Sequence, residues 1–158
     1  MKTLIAYATK NGATAKCAKR LAEHLENVTL LDLTKEEPCL ADFDTIIIGS
    51  CIRGGKLHKE AKRFMEENLS DLKQKKTAYF ICCGFPEQKA DYFSKNFPDE
   101  LLQNALAYDC FGGEFDPSKL KGMDKLVAKM VTKAVAGKVA PAKILYENIE
   151  NFACKVRG

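Results

Sequence analysis

Thr9, Asn11 and Thr14 stand around Gly12 in the segment Thr9-Lys10-Asn11-Gly12-Ala13-Thr14, directly behind the apolar run 2–8. Two hydroxyls and a carboxamide ahead of a helix suit an anion, since first-turn N–H groups lack intrahelical acceptors and the helix dipole favours negative charge. A phosphate fits this description. An ordinary N-cap with a polar turn would use the same residue types. Lys10 adds a positive charge, either beside the anion or out in solvent. The loop contains neither GxGxxG nor GxxxxGK[ST], which disfavours a Rossmann dinucleotide site and a P-loop NTPase.

Two further loops carry residues of the right kind. Ser50-Cys51-Ile52-Arg53-Gly54-Gly55-Lys56 follows an apolar run and places two glycines after an arginine. Its backbone can approach a flat ligand closely and adopt φ > 0, or it can simply turn the chain. Cys83, Gly84 and Phe85 follow another apolar run, with Tyr92 further on. Phe85 or Tyr92 could cover an aromatic ligand or belong to the core. His58 could donate a proton or be an exposed histidine at a helix start; no catalytic residue is assigned. The seven cysteines, at 17, 39, 51, 82, 83, 110 and 154, form no CxxC pair and no Cys/His cluster, so no metal site is expected. Most sit in apolar segments, where cysteine acts as a small hydrophobe in a reducing interior.

The elements that must position these loops are legible from hydrophobic pattern. Runs 2–8, 28–33, 45–51, 77–83 and 106–113 read as strands, and "TIIIGSC" (45–51) is apolar without alternation, as in a strand covered on both faces. Helices are expected at 13–26, where Cys17, Ala18, Leu21, Ala22 and Leu25 share a face, then at about 57–69, 119–135 and 143–156. Residues 84–104 are expected to hold a loop and one or two short helices broken by Pro98, and 34–43 a short crossover turn. Strands alternating with helices imply an α/β fold, a mainly parallel sheet with helices on both faces. Ligands of such sheets bind beyond the carboxyl ends of the strands, where strand order reverses. All three loops lie there. The 158 residues are read as a single domain, 1–158.

Charge is unevenly spread. Residues 1–116 hold 16 Lys/Arg against 18 Asp/Glu, a net of −2, whereas residues 117–158 hold 9 against 3, a net of +6. Lys121, Lys125, Lys129 and Lys133 recur every four residues and form one stripe. Such a stripe is a solvated face, or else a surface for an anionic membrane or an acidic redox partner. Nucleic acid is not expected, because no recognition motif or interleaved stacking aromatics accompany the charge. No signal-peptide pattern and no apolar run of membrane-spanning length are present, so a cytoplasmic protein, possible membrane association aside, is the expectation.

Together these motifs resemble the flavodoxin family over nearly the whole chain. The segment Thr9–Thr14 is similar to that family's (T/S)xTGxT loop, and "IIIGS" followed by a glycine-bearing loop is similar to its flavin loop. The stretch 46–68, with Arg53, Gly55 and His58, and the stretch 111–133 resemble more closely the flavodoxin-domain group that includes the flavodoxin-type, menaquinone-linked protoporphyrinogen oxidase. The resemblance implies a flavodoxin-like three-layer sandwich, a five-stranded parallel sheet of order 2-1-3-4-5. It implies FMN held by Thr9, Lys10, Asn11, Gly12, Ala13 and Thr14 at the phosphate, by Ser50, Cys51, Ile52, Arg53, Gly54 and Gly55 at the isoalloxazine, and by Cys83, Gly84 and Phe85 at its other face or pyrimidine edge. Electron transfer with a redox partner protein or a quinone is the function implied. A quinone-linked protoporphyrinogen IX oxidase and a flavin-free interaction domain are the alternatives, since fold does not fix function.

Overall fold

The computed structural model describes residues 1–114 and 143–158. The expected basic helix at 119–135 lies outside the described residues. The chain runs β1 (Thr3–Ala8), α1 (Ala13–Ala22), β2 (Val28–Asp32), a 3₁₀ turn at Leu40–Asp42, β3 (Thr45–Arg53), β4 (Lys56–Leu57), α2 (Lys59–Glu67) and α3 (Leu69–Gln74). It continues through β5 (Lys76–Cys82), a 3₁₀ turn at Pro86–Gln88, α4 (Lys89–Asn96), α5 (Asp99–Asn104), β6 (Ala107–Cys110) and α6 (Tyr146–Arg157).

Five strands pair in parallel in the order β2-β1-β3-β5-β6, the expected 2-1-3-4-5 when the short β4 is left out of the count. The apolar runs lack alternation because each strand feeds two cores. Leu4, Ala6, Ile46, Ile48, Tyr79 and Ile81 face α2–α5, meeting Phe64, Met65, Leu72, Phe93, Phe97 and Leu101. Ile5, Ile47, Ala78, Phe80 and Cys82 face α1 and α6, meeting Cys17, Ala18, Leu21, Ile149, Phe152 and Ala153. The sheet is therefore the middle of three layers. Its centre, β1 and β3, puts the first two candidate loops side by side at its carboxyl end.

Element ends differ from the sequence reading for local reasons. Helix α1 stops at Ala22 rather than near Glu26, and the chain then turns through Asn27 at φ 52° to begin β2. The crossover between β2 and β3 is the short turn at Leu40–Asp42, with Leu40 buried as its anchor. The helix expected from Leu57 starts at Lys59 and is divided at Asn68, which closes α2 and opens α3. Helix α6 starts at Tyr146. The expected glycine loop within 50–56 is a correction of another kind. Strand β3 continues to Arg53, folds back at Gly54-Gly55 and pairs antiparallel with β4, Ile52 opposite Leu57 and Arg53 opposite Lys56.

Candidate functional site

The first loop leaves β1 and enters α1 through Gly12. Its φ of 89° is left-handed, the conformation that glycine adopts without steric cost. The Gly12 N–H donates to Thr9 Oγ1 at 2.9 Å, and the Lys16 N–H donates to Gly12 O at 3.0 Å. The latter bond opens the helix, so the N–H groups of Ala13, Thr14 and Ala15 precede the first intrahelical donor and have no acceptor within the helix. Thr9 uses a hydroxyl lone pair in its bond, not its proton. Lys10, Asn11 and Gly12 are exposed, whereas Thr14 is fully buried. The Thr14 hydroxyl has no hydrogen-bond partner; the Cys82 thiol lies beside it without hydrogen-bond geometry. An orphaned buried hydroxyl is unfavourable by itself and asks for a partner.

The second loop is the β3–β4 hairpin. Positive φ at both Gly54 (57°) and Gly55 (75°) is what a two-residue type I′ turn requires, and glycine meets that requirement. Ser50, at the end of the parallel ladder, is buried. Its Oγ donates to Cys51 O at 3.0 Å and accepts the His58 N–H at 2.9 Å, holding β4 against β3. His58 then caps α2, its Nδ1 accepting the Glu60 N–H at 3.2 Å. Partial burial lowers the His58 pKa; the nearby Glu60 opposes this, while Lys59 and Lys10 add to it. The structure thus gives His58 a capping task at the helix start, half-buried where the sequence reading has an exposed histidine.

These two loops share one cleft. A cavity of about 360 Å³ is lined by Lys10, Cys51, Arg53, Leu57, His58 and Lys59. The Lys10 backbone N–H is directed at the Cys51 sulfur; burial raises that thiol's pKa, and this N–H and Arg53 work against the rise. Lysine and arginine make up half of that lining, and among the described residues no carboxylate takes part in it. Leu57 and Lys59 are cleft residues that composition and spacing did not single out. Their position depends on the hairpin, which only the fold reveals.

The third loop is placed differently. Cys83 is buried and its N–H donates to Gly112 O at 2.9 Å. Its sulfur lies 3.2 Å from that of Cys110. Sharing a proton with Cys110, together with burial, pushes the Cys83 thiol far up, while the same contact lowers Cys110. Gly84 is exposed and Phe85 half-buried at the start of the Pro86–Gln88 turn. None of Cys83, Gly84 and Phe85 lines the cleft. Tyr92 belongs to the core, its hydroxyl donating to Gln88 Oε1 at 3.1 Å.

Among the described residues no group of three or more His, Cys, Asp or Glu is arranged to hold a metal ion, and no helix is long and apolar enough to cross a membrane.

An open parallel sheet of this order, with a glycine-turned loop and a glycine hairpin converging at its central strands, defines a flavodoxin-type α/β protein. The chain belongs to the flavodoxin domain family, whose model matches residues 4–140. It is 24% identical to the protoporphyrinogen IX dehydrogenase [quinone] of Escherichia coli K12, across 99% of this chain and 94% of that protein. Among solved structures it is similar to flavodoxin 2 of Bacillus cereus, with a TM-score of 0.58 and 23% identity over 99% of this chain and 98% of that one. It is also similar to a Lactobacillus acidophilus flavoprotein solved in complex with FMN, with a TM-score of 0.55 and 16% identity over 69% and 92%.

Proposed function

We propose that this chain binds FMN and acts in electron transfer. The observation that carries the reading is the meeting of loops 9–14 and 50–56 in one cleft at the carboxyl ends of β1 and β3, with the Lys10 N–H against Cys51. Strand order reverses between β1 and β3. In flavodoxin itself FMN occupies this switch point, and the placement is carried over from that family.

The residues fit such a ligand. A Cβ built on Gly12, Gly54 or Gly55 would meet nothing within 4 Å, so the space before both loops is open. The orphaned Thr14 hydroxyl and the first-turn N–H groups are donors suited to a phosphate. In this reading Thr9, Lys10, Asn11, Gly12, Ala13 and Thr14 hold the phosphate. Ser50, Cys51, Ile52, Arg53, Gly54 and Gly55 place the hairpin along the ring system. Cys83, Gly84 and Phe85 approach its other face or pyrimidine edge. When bound, FMN supplies one- and two-electron transfer, which the protein orients and tunes. Arg53 stabilises negative charge on the ring, and Gly54 lets the backbone at the hairpin tip come close.

A second reading, quinone-linked oxidation of protoporphyrinogen IX, is favoured by the Escherichia coli relative, which aligns over almost the full length of both chains. On that reading the basic stripe at 119–135 makes peripheral contact with an anionic membrane.

Titration of flavin-free protein with FMN tests the first reading, with riboflavin as the control for the phosphate. FMN fluorescence should be quenched at one equivalent, and riboflavin should bind at least about tenfold more weakly, the loss of roughly one charge-assisted contact set. No quenching by either would refute it. Quinone-dependent oxidation of the porphyrinogen by the loaded protein, with sedimentation on anionic vesicles, separates enzyme from carrier.

A further inference from the structure

The β3–β4 hairpin is too short to hold itself in place. Its ladder is two residue pairs long, and isolated two-stranded hairpins are marginal even when longer. The tip, Gly54-Gly55, has no side chain by which packing could fix it. Backbone polar groups are the remaining handles. On one flank Ser50 Oγ takes the His58 N–H. On the other, Asn96 in the last turn of α4 reaches across the chain. Its Nδ2 donates to Gly55 O at 2.8 Å, and its Oδ1 accepts the Leu57 N–H at 3.3 Å. The same Nδ2 donates to Tyr92 O at 2.8 Å, four residues back on its own helix. A carboxamide carries two donors and an acceptor oxygen. Here the helix uses one donor to set the side chain's direction, and the hairpin takes the other donor and the oxygen.

From this geometry we infer that Asn96 is a positioning residue, a clamp that sets where the Gly54-Gly55 tip lies against the cleft. The clamp holds the Gly55–Lys56 peptide through its carbonyl. Reorientation of the tip is then confined to the Arg53–Gly54 and Gly54–Gly55 peptides. A ligand reaching the hairpin meets a loop already ordered, so less of its binding free energy is spent on ordering. Because α4 follows the segment 83–88, the clamp also ties the hairpin to the chain that leaves β5. Its functional arm rests on the FMN reading above; its structural arm does not.

The test uses the full-length chain with Asn96→Ala and Asn96→Asp. The aspartate keeps the side chain's size and its acceptor for Leu57 N–H, and loses both donors. Amide hydrogen exchange on flavin-free protein should show residues 55–57 exchanging at least about tenfold faster in Asn96→Ala, the scale of one or two net hydrogen bonds, with β5 amides unchanged. In Asn96→Asp the Leu57 amide should stay protected. The FMN dissociation constant should rise about tenfold in both variants, since both release the Gly55 carbonyl. Unchanged exchange at 55–57 in Asn96→Ala overturns the clamp. Faster exchange with unaltered FMN affinity overturns its role in ligand positioning. If the alanine variant does not fold, the isosteric aspartate decides the same question. A wild-type chain that binds no FMN refutes the flavin reading, while the exchange comparison still decides the clamp.

Discussion

Gly49→Ala isolates a packing constraint inside β3, the strand that leads to the hairpin. Gly49 pairs with Phe80 across the β3–β5 ladder, and the Phe80 ring lies over the glycine where a side chain would otherwise stand. A Cβ at position 49 would overlap the Cζ, Cε1 and Cε2 atoms of that ring. The ring cannot swing aside freely: Phe80 is fully buried, stacks on Phe111 at 4.6 Å between centroids, and meets Phe152 edge-on at 6.4 Å. Overpacking of this kind costs about 3 kcal/mol. Phe80→Leu removes the same three ring atoms, at roughly 2 kcal/mol from ~0.8 kcal/mol per carbon lost from the interior. The double variant should then lose only about 2 kcal/mol rather than about 5, because leucine has no atoms where the new methyl must go. Urea unfolding of the wild type, both single variants and the double variant measures the cycle. Additive losses would mean that Phe80 is not what excludes a side chain at position 49.

Three further outcomes follow from the site. Thr14→Val replaces the orphaned hydroxyl by a methyl of similar size, so unfolding stability should hold within about 1 kcal/mol while FMN affinity falls about tenfold; equal affinity would remove Thr14 from the phosphate site. Ser50→Ala leaves the His58 N–H without its acceptor and should cost about 1–3 kcal/mol in urea unfolding. His58 titrates below its ordinary value because burial, and the Glu60 N–H that its Nδ1 accepts, favour the neutral ring. Its contribution is therefore fully present above the unfolded pKa near ~6.5 and is lost as pH falls through the lower folded value. A His58→Asn variant, which keeps a capping oxygen, should lose that part of the pH dependence in a stability profile taken from pH 8 to pH 5.

The two glycine loops show how far local reading reaches. Gly12 after polar residues at the end of an apolar run was legible because both the strand and the helix face announce themselves within a dozen residues. Arg53-Gly54-Gly55-Lys56 was legible as a turn but not as a hairpin, since β4 is two residues long and carries no periodicity of its own. Asn96 gave no local signal. A carboxamide at the end of a short helix has many uses, and its partners at Gly55 and Leu57 lie about forty residues away. Cys83 gives no sign in the sequence of its other neighbour: its sulfur lies 3.2 Å from that of Cys110, 27 residues further on.

Apolar runs without alternation determine a strand buried on both faces, and glycines at strand ends determine where the chain can turn, because both depend on near neighbours. That much the amino-acid sequence settles: five parallel strands, helices between them, and polar loops at the carboxyl end. Tertiary structure decides which loops share a cleft, since Lys10 and Cys51 become neighbours only when β1 lies beside β3. It also decides that Gly49 must lack a side chain and that Asn96 must hold the hairpin. Those requirements come from atoms brought together across the sheet, and no spacing along the chain encodes their contact.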